Sequence, residues 1–214
     1  MTRFIPNVLT ICNAISGLLA ILLGHPVMGA YLIIAAMVLD LLDGLAARLL
    51  DGSTSLGKEL DSMADLISFG IAPAYLFYQL SLDIDALLVS LLYVLSALFR
   101  LAKFNIGSQS STFTGLPSPA AAGVATGAIL LHASSAAACP SWLPHTTMIL
   151  SAIGMNVDFG FFSLKGGSPH RDWRLWLVVV STVVSMTFHW HYGLFICYIS
   201  YVMVSLISKA VVRS

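Results

Sequence analysis

The sequence has very little charge. Only 9% of its 214 residues are Asp, Glu, Lys or Arg, whereas soluble domains carry about 25%. The ten basic and ten acidic residues also balance, which excludes a nucleic-acid binder that relies on bulk positive charge. Hydrophobic residues make up 58% of the chain, so an ordinary soluble enzyme and a disordered chain are excluded as well. The composition is that of a polytopic membrane protein.

Cysteine is scarce too. The three cysteines, Cys12, Cys139 and Cys197, show neither the spacing of metal ligands nor a disulfide framework. We interpret them as packing residues, so a zinc site and a disulfide-stabilised secreted fold are not expected.

What the chain does contain is a series of apolar runs near the length of about 20 residues that spans a bilayer. Eight such runs lie at residues 5–23, 27–48, 59–80, 86–104, 118–138, 145–164, 173–189 and 191–209. They predict an all-α transmembrane bundle forming one domain over residues 1–214, with no room for a soluble domain. Because Gly154, Asn156 and Asp158 interrupt the sixth run, a six-span core with two flanking segments is the alternative.

The basic residues give the orientation of these spans. With eight spans, all ten fall on one side of the membrane: Arg3, Arg48, Lys58, Arg100, Lys103, Lys165, Arg171, Arg174, Lys209 and Arg213. By the positive-inside rule this side is cytosolic. We therefore expect a multi-pass integral membrane protein with both termini in the cytosol.

Four acidic residues stand where the second and third runs meet. Asp40 and Asp43 are three residues apart, and Asp61 and Asp65 are four apart, so each pair shares one face of a helix. A short polar turn joins the two runs, which makes them antiparallel neighbours. The four carboxylates are therefore expected to converge near the cytosolic surface.

Carboxylates at membrane depth are costly and usually line a wet cavity or a functional site. Four of them repel one another, and divalent cations relieve that repulsion; an all-oxygen ligand set suits Mg²⁺, Mn²⁺ or Ca²⁺. Two such ions can clamp a diphosphate. The alternatives are a solvated helix end, an ion pair with Arg48 or Lys58, a cation transporter or channel, and an intramembrane aspartyl protease.

Small and basic residues accompany the acids. Gly44 directly follows Asp43, where a side chain would obstruct the approach of a ligand. Gly57 opens the third helix, whose free N–H groups attract phosphate. Arg48 lies one turn beyond Gly44 and offers a planar set of donors to a phosphate or a base.

These residues form one pattern: Asp40-x2-Asp43-Gly44-x2-Ala47-Arg48-x8-Gly57-x3-Asp61-x3-Asp65. It resembles the signature of the CDP-alcohol phosphatidyltransferases at every fixed position. The resemblance implies that Asp40, Asp43, Asp61 and Asp65 hold two Mg²⁺ or Mn²⁺ ions, with Asp65 as the general base. It also implies that the CDP-lipid is contacted by Asn7, Thr10, Gly44, Ala47, Arg48 and Gly57, and that the protein is a homodimer.

Further segments are similar to those of the family members that take serine as acceptor: residues 6–10, 68–74, 99–105 and 113–122. The resemblance therefore implies transfer of a phosphatidyl group from CDP-diacylglycerol to L-serine, with release of CMP. Glycerol 3-phosphate, inositol, inositol phosphate and choline remain alternative acceptors.

The end of the fourth run carries candidate contacts for that acceptor. Arg100 and Lys103 are three residues apart on one helix face, and Asn105 lies just beyond them. Together they are suited to hold a carboxylate. The alternative is that Arg100 and Lys103 are ordinary cytosolic anchors or partners of the acids.

Overall fold

The computed structural model describes residues 4–50, 54–106, 115–134 and 139–157. Every secondary-structure element in these ranges is helical, which confirms an all-helical fold for this part of the chain. The elements are α1 (Ile5–Leu23), α2 (Pro26–Leu49), α3 (Ser55–Asp65), a π-helical turn (Leu66–Ile71), α4 (Ala72–Ser81), α5 (Ile84–Ile106), α6 (Ser118–Ser134) and α7 (Trp142–Asn156).

The helices follow the apolar runs with one internal difference. The first two runs coincide with α1 and α2 to within one residue, and the fourth lies inside α5. The third run is not one regular helix, since it passes through α3, the π-helical turn and α4. The predicted spans 173–189 and 191–209, and the end of the sixth run, lie outside the described residues.

Local signals fix where α2 and α3 begin. Gly24 ends α1 with a φ of 60°, a left-handed conformation that glycine adopts without steric penalty. The His25 side chain then accepts a hydrogen bond from the Met28 N–H at 3.3 Å, and Pro26 occupies the first turn of α2. Thr54 Oγ1 accepts from the Gly57 N–H at 3.0 Å and so caps α3. These caps set the axial positions of the aspartates.

The outer surface of the bundle is apolar and its interior is built from small residues. Among the described helices, α1, α2 and α5 are long and apolar enough to cross a membrane. On α1, side chains such as Leu22 (72% exposed) point outward, while Thr10, Asn13, Gly17 and Ala20 are buried. This inverted pattern suits a lipid environment, where small residues allow helices to approach closely.

Helix α6 is different, because it is surrounded by protein. Every residue from Ala120 to Leu131 is buried, and α6 packs against α2, α4 and α7, while α7 also packs against α5. Its beginning at Ser118 thereby lies against α5. The fold thus brings α2, α3, α5, α6 and α7 to one functional region.

Candidate active site

Three of the four predicted carboxylates come together. Asp40 from α2 and Asp61 and Asp65 from α3 each present an oxygen, and these oxygens lie within 4.8 Å of one another. All three side chains are half-buried. The helical spacing of the acids and the antiparallel packing of α2 beside α3 produce this carboxylate cluster, defined here as Asp40, Asp61 and Asp65.

Asp43 is not a member of the carboxylate cluster but lies close to it. Its side chain is buried, and its Oδ2 accepts a 2.7 Å hydrogen bond from Thr10 Oγ1 on α1. Asp43 also interacts electrostatically with Asp65. The structure therefore places the fourth predicted ligand beside the others and fixes its orientation through α1.

The carboxylate cluster fits a divalent cation. Asp40, Asp61 and Asp43 all repel the charge on Asp65, and Arg100 attracts it. Asp65 Oδ1 is buried and has no hydrogen-bond partner among the described residues. Carboxylate oxygens are the ligands that Mg²⁺ and Mn²⁺ prefer, so a cation would satisfy this oxygen and offset the repulsion.

The π-helical turn after Asp65 is a feature that the sequence analysis missed. Pro73 has no N–H to donate to the Phe69 carbonyl, as a regular α-helix would require, and Tyr93 Oη donates to that carbonyl at 3.0 Å instead. Ser68 Oγ donates to the Asn13 carbonyl at 2.9 Å. Such turns occur frequently at functional sites, and here one anchors the helix that carries Asp61 and Asp65. Pro73 was the signal in the sequence.

A cavity of about 410 Å³ adjoins the carboxylate cluster. Asp61 belongs to both, so the two form one continuous site. Five of the six predicted CDP contacts line the cavity, namely Asn7, Thr10, Gly44, Ala47 and Gly57. The sixth, Arg48, is exposed and is not among the lining residues. Thr54, Ser55, Lys58 and Phe104 also line the cavity, and the sequence analysis had not assigned them to it.

The two glycines of the cavity have different roles. A Cβ atom added to Gly44 would meet no protein atom within 4 Å, so this glycine keeps space open for a ligand. A Cβ on Gly57 would lie 2.9 Å from Asn7 Oδ1. Gly57 therefore allows α1 to approach the beginning of α3, and this contact closes one wall of the cavity.

The three predicted acceptor contacts separate in the structure. Arg100 Nη1 donates to Ser118 Oγ at 2.6 Å, and Arg100 is close enough to Asp65 to attract its charge. Lys103 is exposed and its Nζ lies 5.0 Å from the centre of the Phe99 ring. Asn105 bonds to α3, accepting from Ser62 Oγ at 2.9 Å and donating to Glu59 at 3.2 Å. Arg100 is thus the one of the three that the structure places beside the carboxylate cluster.

Comparison with known proteins identifies the family of this site. The sequence model of the CDP-alcohol phosphatidyltransferases matches residues 3–184. The chain belongs to the CDP-alcohol phosphatidyltransferase family. The resemblance drawn from the aspartate motif is therefore confirmed, and the chain is a phosphatidyltransferase rather than a transporter, a channel or a protease.

Individual members of this family are similar to more than half of the chain. The CDP-diacylglycerol–serine O-phosphatidyltransferase of Bacillus subtilis is 46% identical over 124 residues, which cover 55% of this chain and 70% of that protein. The enzyme of the same name from Helicobacter pylori is 37% identical over 59% of this chain and 57% of its own length.

An archaeal member is similar over a comparable stretch. The archaetidylserine synthase of Methanothermobacter thermautotrophicus is 41% identical over 57% of this chain and 57% of its own length. The chain thus spans just over half the length of the Helicobacter and Methanothermobacter relatives.

Proposed function

We propose that this protein is a CDP-diacylglycerol–serine O-phosphatidyltransferase, which transfers a phosphatidyl group from CDP-diacylglycerol to L-serine and releases CMP. The structural observation that carries the proposal is the continuity of the cavity and the carboxylate cluster through Asp61. A diphosphate at this junction has a nucleotide-sized cavity on one side and acids on the other. The choice of serine is supported by the names of the similar proteins.

The nucleotide half of the donor is proposed to occupy the cavity. Asn7, Thr10, Gly44, Ala47 and Gly57 line it and supply amide and hydroxyl groups together with open space. Arg48 lies one position beyond Ala47 and is exposed. It is proposed to reach the phosphates or the base from the rim when the donor is bound.

The acids are proposed to hold two Mg²⁺ or Mn²⁺ ions through Asp40, Asp43, Asp61 and Asp65. When bound, such ions supply electrostatic stabilisation of the diphosphate and of the departing CMP. Thr10 fixes one oxygen of Asp43 by its hydrogen bond, and the buried Asp65 Oδ1 has room for a new partner. The protein thereby presents a pre-oriented set of oxygen ligands.

Asp65 is proposed as the general base. Its carboxylate takes the proton of the serine hydroxyl as that oxygen forms a bond to the lipid-side phosphorus, and the bond from this phosphorus to the CMP oxygen breaks. A base of this kind contributes about 10²- to 10⁴-fold to the rate. Arg100 is proposed to bind the serine carboxylate, because it is the predicted acceptor contact that lies beside Asp65. Lys103 and Asn105 are proposed to contribute at the cytosolic rim.

The membrane arrangement is also a proposal. Eight spans with both termini in the cytosol place Arg48, Lys58, Arg100 and Lys103 on the cytosolic side. The active site then opens to the cytosol, where serine is available, and CDP-diacylglycerol reaches it from the surrounding membrane. A homodimer is proposed from the family resemblance.

The test is an acceptor comparison with the purified protein in lipid nanodiscs. CMP release is measured from CDP-diacylglycerol with L-serine, inositol, glycerol 3-phosphate or choline. We expect release with serine, its loss when EDTA is added, and its recovery with excess Mg²⁺ or Mn²⁺. Release with inositol and not with serine would refute serine as the acceptor, and full activity in EDTA would refute the metal site.

A further inference from the structure

Asn156, at the end of α7, carries a buried polar atom that the proposed mechanism does not use. Its Nδ2 donates to the Ser96 carbonyl of α5 at 3.0 Å. Its Oδ1 is buried and has no hydrogen-bond partner among the described residues. Buried polar atoms in folded proteins almost always have a partner, so this oxygen points to a ligand.

The amide group of Asn156 lies beside Arg100. Ser96 is four residues before Arg100 in α5, so the two lie on the same face of that helix. Side chains on a helix lean toward its N-terminus and cover the preceding turn. The Arg100 side chain is therefore directed toward the turn of Ser96, where the Asn156 amide is bound.

The segments that carry Ser118 and Asn156 are packed together. The Leu116 N–H donates to the Gly154 carbonyl at 2.8 Å, and Gly115, with a φ of 90°, lies against the Met155 carbonyl so closely that a Cβ atom would clash. This contact fixes the beginning of α6 against the end of α7.

One rigid arrangement therefore holds Arg100, Ser118 and Asn156. Ser118 Oγ accepts from Arg100 Nη1 and fixes the orientation of the guanidinium. The guanidinium group binds a carboxylate with two parallel hydrogen bonds, and an amide oxygen accepts from an ammonium group. An α-amino acid carries both groups on one carbon atom.

We infer that Asn156 is a specificity-determining residue for the acceptor, and that its Oδ1 accepts a hydrogen bond from the ammonium group of an amino acid whose carboxylate binds Arg100. The inference rests on the proposed function and adds the reason why the site selects an amino acid rather than another alcohol. The serine hydroxyl then extends toward Asp65, whose charge interacts with Arg100.

The test uses three acceptors that differ by one group each: L-serine, 3-hydroxypropionate, which lacks the ammonium, and ethanolamine, which lacks the carboxylate. The two analogues are measured as substrates or as competitors of serine. For Asn156→Leu we expect kcat/KM for serine to fall about 10- to 100-fold, the size of one hydrogen bond to a charged group. The constants for 3-hydroxypropionate and the KM for CDP-diacylglycerol should stay near wild type.

Asn156→Asp separates recognition from packing. It keeps an oxygen acceptor and removes the Nδ2 that donates to Ser96. We expect this variant to keep the preference for serine over 3-hydroxypropionate. If Asp is as defective as Leu, or if Leu weakens both acceptors equally, Asn156 only joins α7 to α5 and the inference is wrong. Should the Leu variant not fold, the preference of Asn156→Asp decides alone.

The wild-type protein separates this inference from the proposed function. If it releases CMP only with acceptors that are not amino acids, the proposed function fails. If it uses serine and the preference for serine is lost in Asn156→Asp, only the role of Asn156 fails.

Discussion

The two halves of the proposed active site are built in different ways. The donor half, consisting of Asp40, Asp43, Gly44, Asp61 and Asp65, comes from one continuous stretch of α2 and α3. The acceptor half, consisting of Arg100, Ser118 and Asn156, comes from three helices that are far apart in sequence. Chemistry that depends on helical spacing is visible in a sequence motif, whereas chemistry that depends on helix packing is not.

The largest expected effect tests the point where the halves meet. Asp65→Asn removes the proposed base but keeps the size of the side chain, so we expect the rate of CMP release to fall by about 10²-fold or more. Binding of CDP-diacylglycerol, measured by ligand-induced thermal stabilisation, should remain. The matched control is Asp85→Asn, at the exposed beginning of α5, which should leave turnover unchanged. Near-normal turnover of Asp65→Asn would move the base elsewhere, with Asp61 as the next candidate.

A smaller effect should be confined to the donor half. Gly44→Leu fills the open space beside Asp43, and we expect KM for CDP-diacylglycerol to rise about tenfold, equivalent to about 1.4 kcal/mol. KM for serine should change little. Gly17→Leu is the contrasting variant, because its Cβ would meet the backbone of Ser68; it should lower the yield of folded protein instead. An unchanged KM in Gly44→Leu would place the nucleotide outside the cavity.

The smallest effect should be confined to the acceptor half. Ser118→Ala removes the hydrogen bond that orients Arg100, and we expect KM for serine to rise about 3- to 10-fold, as for one ordinary hydrogen bond. KM for CDP-diacylglycerol should not change. The control is Thr126→Val, which removes another buried hydroxyl of α6 that has no hydrogen-bond partner among the described residues. Equal changes in both KM values would show that Ser118 supports the fold and not the acceptor.

Much of the donor half could be predicted from the sequence because short-range geometry determines it. The spacing of Asp61 and Asp65 fixes their common face, and the caps at His25 and Thr54 fix where their helices begin. The π-helical turn was missed because it arises from two distant partners together: Pro73 removes a backbone donor, and Tyr93 supplies another from α5. A single apolar run gives no sign of that exchange.

The predicted acceptor contacts show the opposite limit. Arg100, Lys103 and Asn105 are neighbours in sequence, but their partners lie on different elements. Asn105 bonds to Glu59 and Ser62 of α3, and Arg100 bonds to the beginning of α6. Their charge and amide groups were evident, yet the direction of each side chain depends on helices that the local pattern does not specify.

The sequence by itself determined that this chain is an apolar helical protein and that its four aspartates form the motif of a phosphatidyltransferase. Composition and helical periodicity carry that information, since both depend only on residues within a few turns of one another. The tertiary structure decided which acids meet, since Asp40, Asp61 and Asp65 converge while Thr10 holds Asp43 beside them. It also brought Asn156 and Ser118 to Arg100, because only the packing of α5, α6 and α7 places groups so distant in sequence within hydrogen-bonding reach.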